Sequence, residues 1–266
     1  MRKKIRLNTV SLGSEPDQPD ILSLSRFIGT CRGRRADLLT FKLIQSLSAQ
    51  TEAGITTPGA GGIFYGSRIE PAITCSSDEY FRNSSDVLDD MVLMTDMAGP
   101  VRSILPAPHL LHSSPDPTDE ERYADYCDQF AGILRDMRDN GITGHIIHAK
   151  EAYQIEIELI ASQKTWIVIP GGEEKVQESL LEHQHRMALH NPGMRMLADL
   201  VDRYDIRHLT IMDPVEESIR QAFEFLDPDQ ISVGGYAISS EEGYWNELVK
   251  KSLVPLPQDT YLSEKG

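Results

Sequence analysis

Cysteine is scarce. The 266 residues contain three, Cys31, Cys75 and Cys127, far apart and without a CxxC pair. No disulfide framework can be built from them, and the expected setting is reducing and cytoplasmic. Long apolar runs are also missing: no stretch of 18 apolar residues exists, so no helix is expected to span a membrane. The first twelve residues carry four cations (Arg2, Lys3, Lys4, Arg6) but no continuous apolar segment, so no secretory signal is expected. Base is short relative to acid, with 26 Lys and Arg against 41 Asp and Glu, a net charge of −15. A surface of that sign repels nucleic acid and anionic lipid.

The cations present are unevenly placed. Residues 1–35 hold eight of them, including Arg26, Arg32, Arg34 and Arg35, against Glu15, Asp17 and Asp20, so this segment is +5 and the remainder −20. The simplest reading is that these cations cover the acidic body of the same chain; a phosphate or acidic partner is the alternative. Two stretches punctuate the chain. Residues 53–62 (AGITTPGAGG) hold four glycines and a proline and read as a loop. Residues 105–118 (LPAPHLLHSSPDPT) hold four prolines, each lacking the N–H that a helix interior or central strand needs. This second stretch suggests a division near residue 112, into an N-terminal α+β region (1–112) and a C-terminal Rossmann-like α/β region (113–266).

The C-terminal half shows the clearer pattern. Thr118 and Glu121 fit a capping box, and Tyr123, Tyr126, Cys127, Phe130, Leu134 and Met137 follow at helical spacing until Asn140-Gly141. Residues 144–149 (GHIIHA) and 165–170 (TWIVIP) read as strands. Residues 153–161 fit both periods; their Glu, Gln and Ala content and the crossover geometry select helix, whereas a strand there would form a hairpin with Thr165–Ile169. A helix is predicted over 173–188, with Val176, Leu180 and Met187 on one face, and a second over 196–204. Residues 208–212 (HLTIM) are a strand. Asp213 is predicted to cap the next helix, with Pro214 at its first position. Ile231 to Val233 is the last strand, ending at Gly234-Gly235. This alternation predicts an α/β protein with a parallel or mixed sheet and flanking helices. In the N-terminal half, residues 5–12 read as an edge strand, 22–48 as one or two helices, 63–75 as a bent strand, 87–97 as helix and 101–105 as strand.

In an open parallel sheet, ligands bind beyond the carboxyl ends of the strands. That rule selects His148, Gly171, Gly172, Asp213, Gly234 and Gly235. The glycines would let backbone approach a ligand, and the helix after Gly172 would offer free N–H groups to an anion, although Glu173 and Glu174 compete there. The run is neither GxGxxG nor a Walker loop. Asp213 could hold a hydroxyl or act as a base, and His148 with Glu151 could form an acid/base pair. The Gly-rich loop adds Thr57 and Gly61 as substrate contacts, with Arg68 as a clamp for a carboxylate or phosphate. His145 with His148, and His183 with His185 and His190, lack a HExxH-type context, so no metal ligand is assigned. No G-x-S-x-G elbow is present.

The function expected is an enzyme that binds a small anionic or nucleotide-like ligand at the strand ends. Group transfer is the expected chemistry, with methyl transfer as one version; the cofactor is unassigned. A non-catalytic ligand-binding or regulatory subunit is the alternative, resting on the basic segment, the Pro-rich middle and the paired prolines Pro255 and Pro257. A homo-oligomer is compatible with either.

Overall fold

The computed structural model describes residues 4–31, 36–239 and 241–255; Arg2, Lys3, Arg32, Arg34, Arg35 and Pro257 lie outside them. Eight parallel strands form the frame: β1 (Asn8–Glu15), β2 (Gly59–Gly61), β3 (Arg102–Pro106), β4 (Gly144–His148), β5 (Thr165–Val168), β6 (Arg186–His190), β7 (His208–Met212) and β8 (Ile231–Ile238). One ladder runs β2-β3-β4-β5 and the other β6-β7-β8-β1. Two seams join them. At the first, Val10 and Thr57 form a parallel bridge, with Ser11 N–H to Thr57 O at 3.1 Å and Thr57 N–H to Thr9 O at 2.9 Å. At the second, the side chain of Gln184 takes the place of a strand. Its Oε1 accepts from Ile167 N–H at 2.8 Å, and its Nε2 donates to Ile167 O at 3.0 Å and Arg186 O at 2.9 Å.

A helix follows every strand: α1 (Leu38–Ala53), α2 (Ser85–Ala98), α3 (Glu120–Asp139), α4 (Gln154–Ile160), α5 (Glu174–Leu181), α6 (Leu197–Arg203), α7 (Glu216–Ala222) and α8 (Glu241–Lys251). Strands closed in chain order inside a ring of helices make a (β/α)8 barrel. Three additions decorate it. A helix, Ile21–Thr30, lies between β1 and α1. A hairpin, Ile73–Ser76 with Glu79–Arg82, lies between β2 and α2. An antiparallel pair, Lys4–Arg6 with Leu253–Pro255, joins the segments that precede β1 and follow α8. Among the described residues no helix is long and apolar enough to cross a membrane.

The interior follows from strand alternation. Val10, Leu12, Ile104, Ile146, Trp166, Val168, Ala188 and Met212 form one buried cluster inside the ring. Two larger clusters lie between the strands and the helices. Each fully buried aliphatic side chain in them contributes about 1.5–3 kcal/mol. The same alternation puts Asn8, Arg102, Arg186, His208 and Ser232 in a polar tier at the N-terminal end of the barrel. His148, His190 and Tyr236 fall in the tier at its C-terminal end.

Several expectations change. The sheet is closed, not open and Rossmann-like, because the N-terminal half supplies β1 to β3 of the same ring. The division near residue 112 falls in the loop between β3 and α3, and strands on either side of it pair, from Arg102 with Gly144 to Pro106 with His148. Residues 5–12 are not one edge strand: Ile5 and Arg6 belong to the antiparallel pair, and β1, from Asn8, is flanked by β8 and β2. The helix expected over 173–188 ends at Leu181, and β6 follows. Residues 63–75 are mostly short helical turns, with strand only from Ile73. Asp213 does not cap α7; Val215 occupies the N-cap position, and Ser218 Oγ accepts from its backbone N–H at 3.2 Å. Residues 154–160 are helix, as their composition suggested.

Candidate functional site

In a (β/α)8 barrel the loops after the strands gather at one face, so that rim is where chemistry is sought. Asp213 follows β7 with φ of 45°, a left-handed conformation that is costly for a residue other than glycine. Three neighbours hold it there. Tyr244 of α8 donates its hydroxyl to Asp213 Oδ1 at 2.6 Å. Asn191, just after β6, donates its amide to Asp213 O at 3.0 Å. Asp213 N–H bonds Gly234 O at 2.9 Å. Gly235 makes the arrangement feasible: a Cβ there would overlap the Tyr244 hydroxyl and come within 2.9 Å of Asp213 Oδ1. His190 ends β6 in register with Met212, beside Asp213, and its half-buried ring has no hydrogen bond to any described residue.

A second group closes the centre of the rim. Tyr236 of β8 donates its hydroxyl to Glu15 Oε1 at 2.6 Å and accepts from Ile63 N–H at 2.9 Å. Glu15 Oε1 also accepts from Phe64 N–H at 3.0 Å. The Tyr236 ring lies edge-on to His148, with centroids 4.9 Å apart. His148 is buried, and its Nε2 donates to Leu12 O at 2.5 Å, which fixes the tautomer because a carbonyl only accepts. Burial pushes its pKa down to about 4, only partly offset by that bond. The ring is therefore neutral at pH 7.

A third group braces the loops after β3 and β4. The buried Glu156 carboxylate accepts from His109 N–H and from His109 Nδ1, each at 2.9 Å, and from the Tyr123 hydroxyl. Lys150 N–H donates to His109 Nε2 at 3.2 Å, so the imidazole proton sits on Nδ1. Burial, then the adjacent carboxylate, raise the Tyr123 pKa, and the phenol stays protonated.

The residues singled out in the sequence are only partly brought together. Asp213 and Gly235 meet at the rim. Gly234 lies inside the barrel, where a Cβ would crowd Thr210 Cγ2 at 2.6 Å and Val10 O at 2.7 Å. His148 and Glu151 form no pair: His148 bonds Leu12 O, and the exposed Glu151 accepts from Tyr153 Oη at 2.8 Å. Gly171, with φ of 72°, and Gly172 make the turn between β5 and α5. Gly61 packs under β3, where a Cβ would collide with Ile104 O. Thr57 lies at the opposite, N-terminal end of the barrel, on the first seam. Arg68 is committed elsewhere. Its guanidinium makes a two-pronged bond to Asp37 at 2.9 and 3.0 Å, and its Nε bonds Asp90 Oδ2 at 2.7 Å, tying the cap of α1 to α2. Burial raises the Asp37 pKa, but the bonds from Arg68 and Thr40 outweigh it and hold the carboxyl at about 2. Among the described residues no three His, Cys, Asp or Glu side chains gather as a metal centre.

Glu15, Asn191, Tyr236 and Tyr244 were not among the site residues read from the sequence, and His190 was considered there only as a metal ligand and not assigned. The signal for Glu15 lay in the run NTVSLGSE, once that segment is taken as a barrel strand and not an edge. Tyr236 sits one residue beyond the point where the last strand was expected to end.

Fold and rim together define a (β/α)8 barrel protein with a polar C-terminal face. No family model and no curated protein sequence matches the chain. Among solved structures, the chain is similar to a putative vitamin-B12-independent methionine synthase from Listeria monocytogenes. The match has 13% identity and a TM-score of 0.59, and covers 93% of this chain and 95% of that one. It is also similar to a B12-independent methionine synthase from Shewanella sp. W3-18-1 in complex with selenomethionine. That match has 15% identity and a TM-score of 0.60, and covers 93% of this chain and 96% of that one. At these identities the likeness establishes the fold.

Proposed function

We propose that this chain is a group-transfer enzyme that binds a small amino-acid-like ligand at the C-terminal rim, with methyl transfer involving a sulfur-bearing amino acid as its chemistry. The carrying observation is Asp213, a non-glycine residue kept left-handed at a strand end by Tyr244 and Asn191, beside the unpartnered His190. Strain retained at such a position is typical of functional sites. The carboxylate complements an ammonium group, and a histidine beside it can carry a proton. The two methionine synthases of the same fold support the choice of reaction, and the selenomethionine in one supports the choice of ligand. An amino-acid ligand is preferred to the anionic or nucleotide-like one expected from the sequence, because Asp213 offers its carboxylate to an ammonium group at the rim.

Calorimetric titration with L-methionine and L-selenomethionine tests this reading. Binding is expected, and Asp213→Asn should weaken it about tenfold or more, since one charge-assisted hydrogen bond is worth about 1.5–3 kcal/mol. Asparagine tolerates the left-handed backbone and can still accept from Tyr244, so the variant should fold. No binding of either amino acid, together with stable co-purification of another protein, would instead support a regulatory subunit.

A further inference from the structure

The N-terminal end of the barrel has a concavity, on the face opposite the rim. A cavity of about 160 Å³ lies there, lined among others by Asn8, Arg102, Trp166, Arg186, His208 and Asp229. A single water needs only about 10–15 Å³ of such space. Arg102 and Arg186 point inward by strand alternation, both are partly buried, and neither guanidinium has a hydrogen-bond or ion-pair partner among the described residues. Trp166 is 4% exposed, and its indole N–H has no partner either.

Such a set is costly when empty. Two like charges face one cavity with only the exposed Asp229 opposite them, and a buried N–H is left unsatisfied. Burial, and then the charge of Arg186, push the Arg102 pKa down to about 10. Burial lowers Arg186 as well, and burial with both arginines lowers His208, against the opposing pull of Asp229. The arginines still remain cations at pH 7.

We propose that this cavity is a binding site for a phosphate group, either inorganic phosphate or the head of a phosphomonoester. A tetrahedral dianion matches two fixed cations and can accept from both guanidiniums and the indole N–H at once. A planar carboxylate carries half that charge and is filled by one guanidinium fork. The exposed Asp229 at the rim of the cavity repels an anion, but it is one acid against two arginines.

The test is a titration of the full chain with inorganic phosphate, and separately with glycerol phosphate, against sodium chloride of equal ionic strength. The readouts are the melting temperature and the fluorescence of Trp166, which is one of two tryptophans. Both readouts should respond to phosphate and not to chloride. A stronger response to glycerol phosphate identifies a phosphomonoester site, and a weaker one a site for the free ion. Arg102→Met and Arg186→Met should each lower the affinity about ten- to a hundredfold, the range for a lost charge-assisted contact. Each should also raise the melting temperature of the phosphate-free protein, because the repulsion is relieved. That rise separates loss of the site from failure to fold. No response beyond the chloride control, or an undiminished response in both variants, overturns the proposal. Methionine binding at the opposite face is read independently of either result.

Discussion

A histidine at a strand end invites an acid/base role, because its ordinary pKa of about 6.5 sits near neutrality. His148 has lost that property to its surroundings. It is sealed between Leu12 O and the Tyr236 ring, with its pKa pushed down to about 4. The consequence appears in stability. The folded pKa lies below the unfolded one, so as pH falls the unfolded chain takes up the proton first. The contribution is complete above about pH 6.5 and is lost progressively as pH falls toward about 4, where it levels off. It is worth on the order of 3 kcal/mol for a shift of this size. His145, bonded to Ser103 and pushed by burial to about 3, acts in the same direction. Urea unfolding at a series of pH values should therefore show stability falling below pH 6.5 with close to two protons taken up. His148→Gln, which keeps a donor for Leu12 O, should remove one of them. An unchanged slope in that variant would mean that His148 is not buried in the neutral form.

At the scale of elements, the barrel has one joint that no strand pairing secures. Between β5 and β6 the backbone N–H and C=O of Ile167 are both met by the side chain of Gln184. Gln184→Ala would leave two buried backbone groups without partners, and a buried group left unsatisfied costs about 1–3 kcal/mol. The variant should lose roughly 2–5 kcal/mol in denaturant unfolding. The amide of Ile167 should exchange with solvent far faster than that of Ile146 on β4. A loss below 1 kcal/mol would mean that the seam is held by packing alone. This joint also marks where the sequence was hard to read. β6 is RMALH: its interior positions are Arg186, Ala188 and His190, and its outward Met187 continued the helical stripe of Val176 and Leu180. β2 is hidden differently, as three residues inside a glycine-rich run whose small size lets β3 pack against it. β4, β5 and β7 were legible because nearly all of their positions are buried and each carries a run of apolar residues. Of the rim, Asp213 and Gly235 could be found from strand ends alone. Glu15, Tyr236 and Tyr244 could not, because Glu15 meets Tyr236, Tyr236 meets His148 and Tyr244 meets Asp213 only once the ring has closed.

For the whole molecule, closure decides what can be separated. The Pro-rich loop after β3 has the composition of a linker, yet the strands on its two sides pair along their full length, from Arg102 with Gly144 to Pro106 with His148. Cutting there opens that pairing and also the ladder between β8 and β1, since β1 to β3 would leave with one piece and β4 to β8 with the other. Each piece would carry raw sheet edges and only part of the interior cluster, Val10, Leu12 and Ile104 in the first and Ile146, Trp166, Val168, Ala188 and Met212 in the second. Unpaired edges with an apolar face are templates for aggregation, and a core divided in two cannot offset the chain entropy of either part. Residues 1–112 and 113–266, expressed separately, should therefore each lack a cooperative thermal transition, and the pair should regain one only when produced together. Circular dichroism melts and size-exclusion profiles of the separate and combined pieces read this directly. A soluble fragment with a sharp melt of its own would show that the ring is two folding units placed side by side. The rim residues Glu15, from the first piece, and Tyr236, from the second, would then depend on docking between units, and ligand binding at the rim should fall as the pieces are diluted.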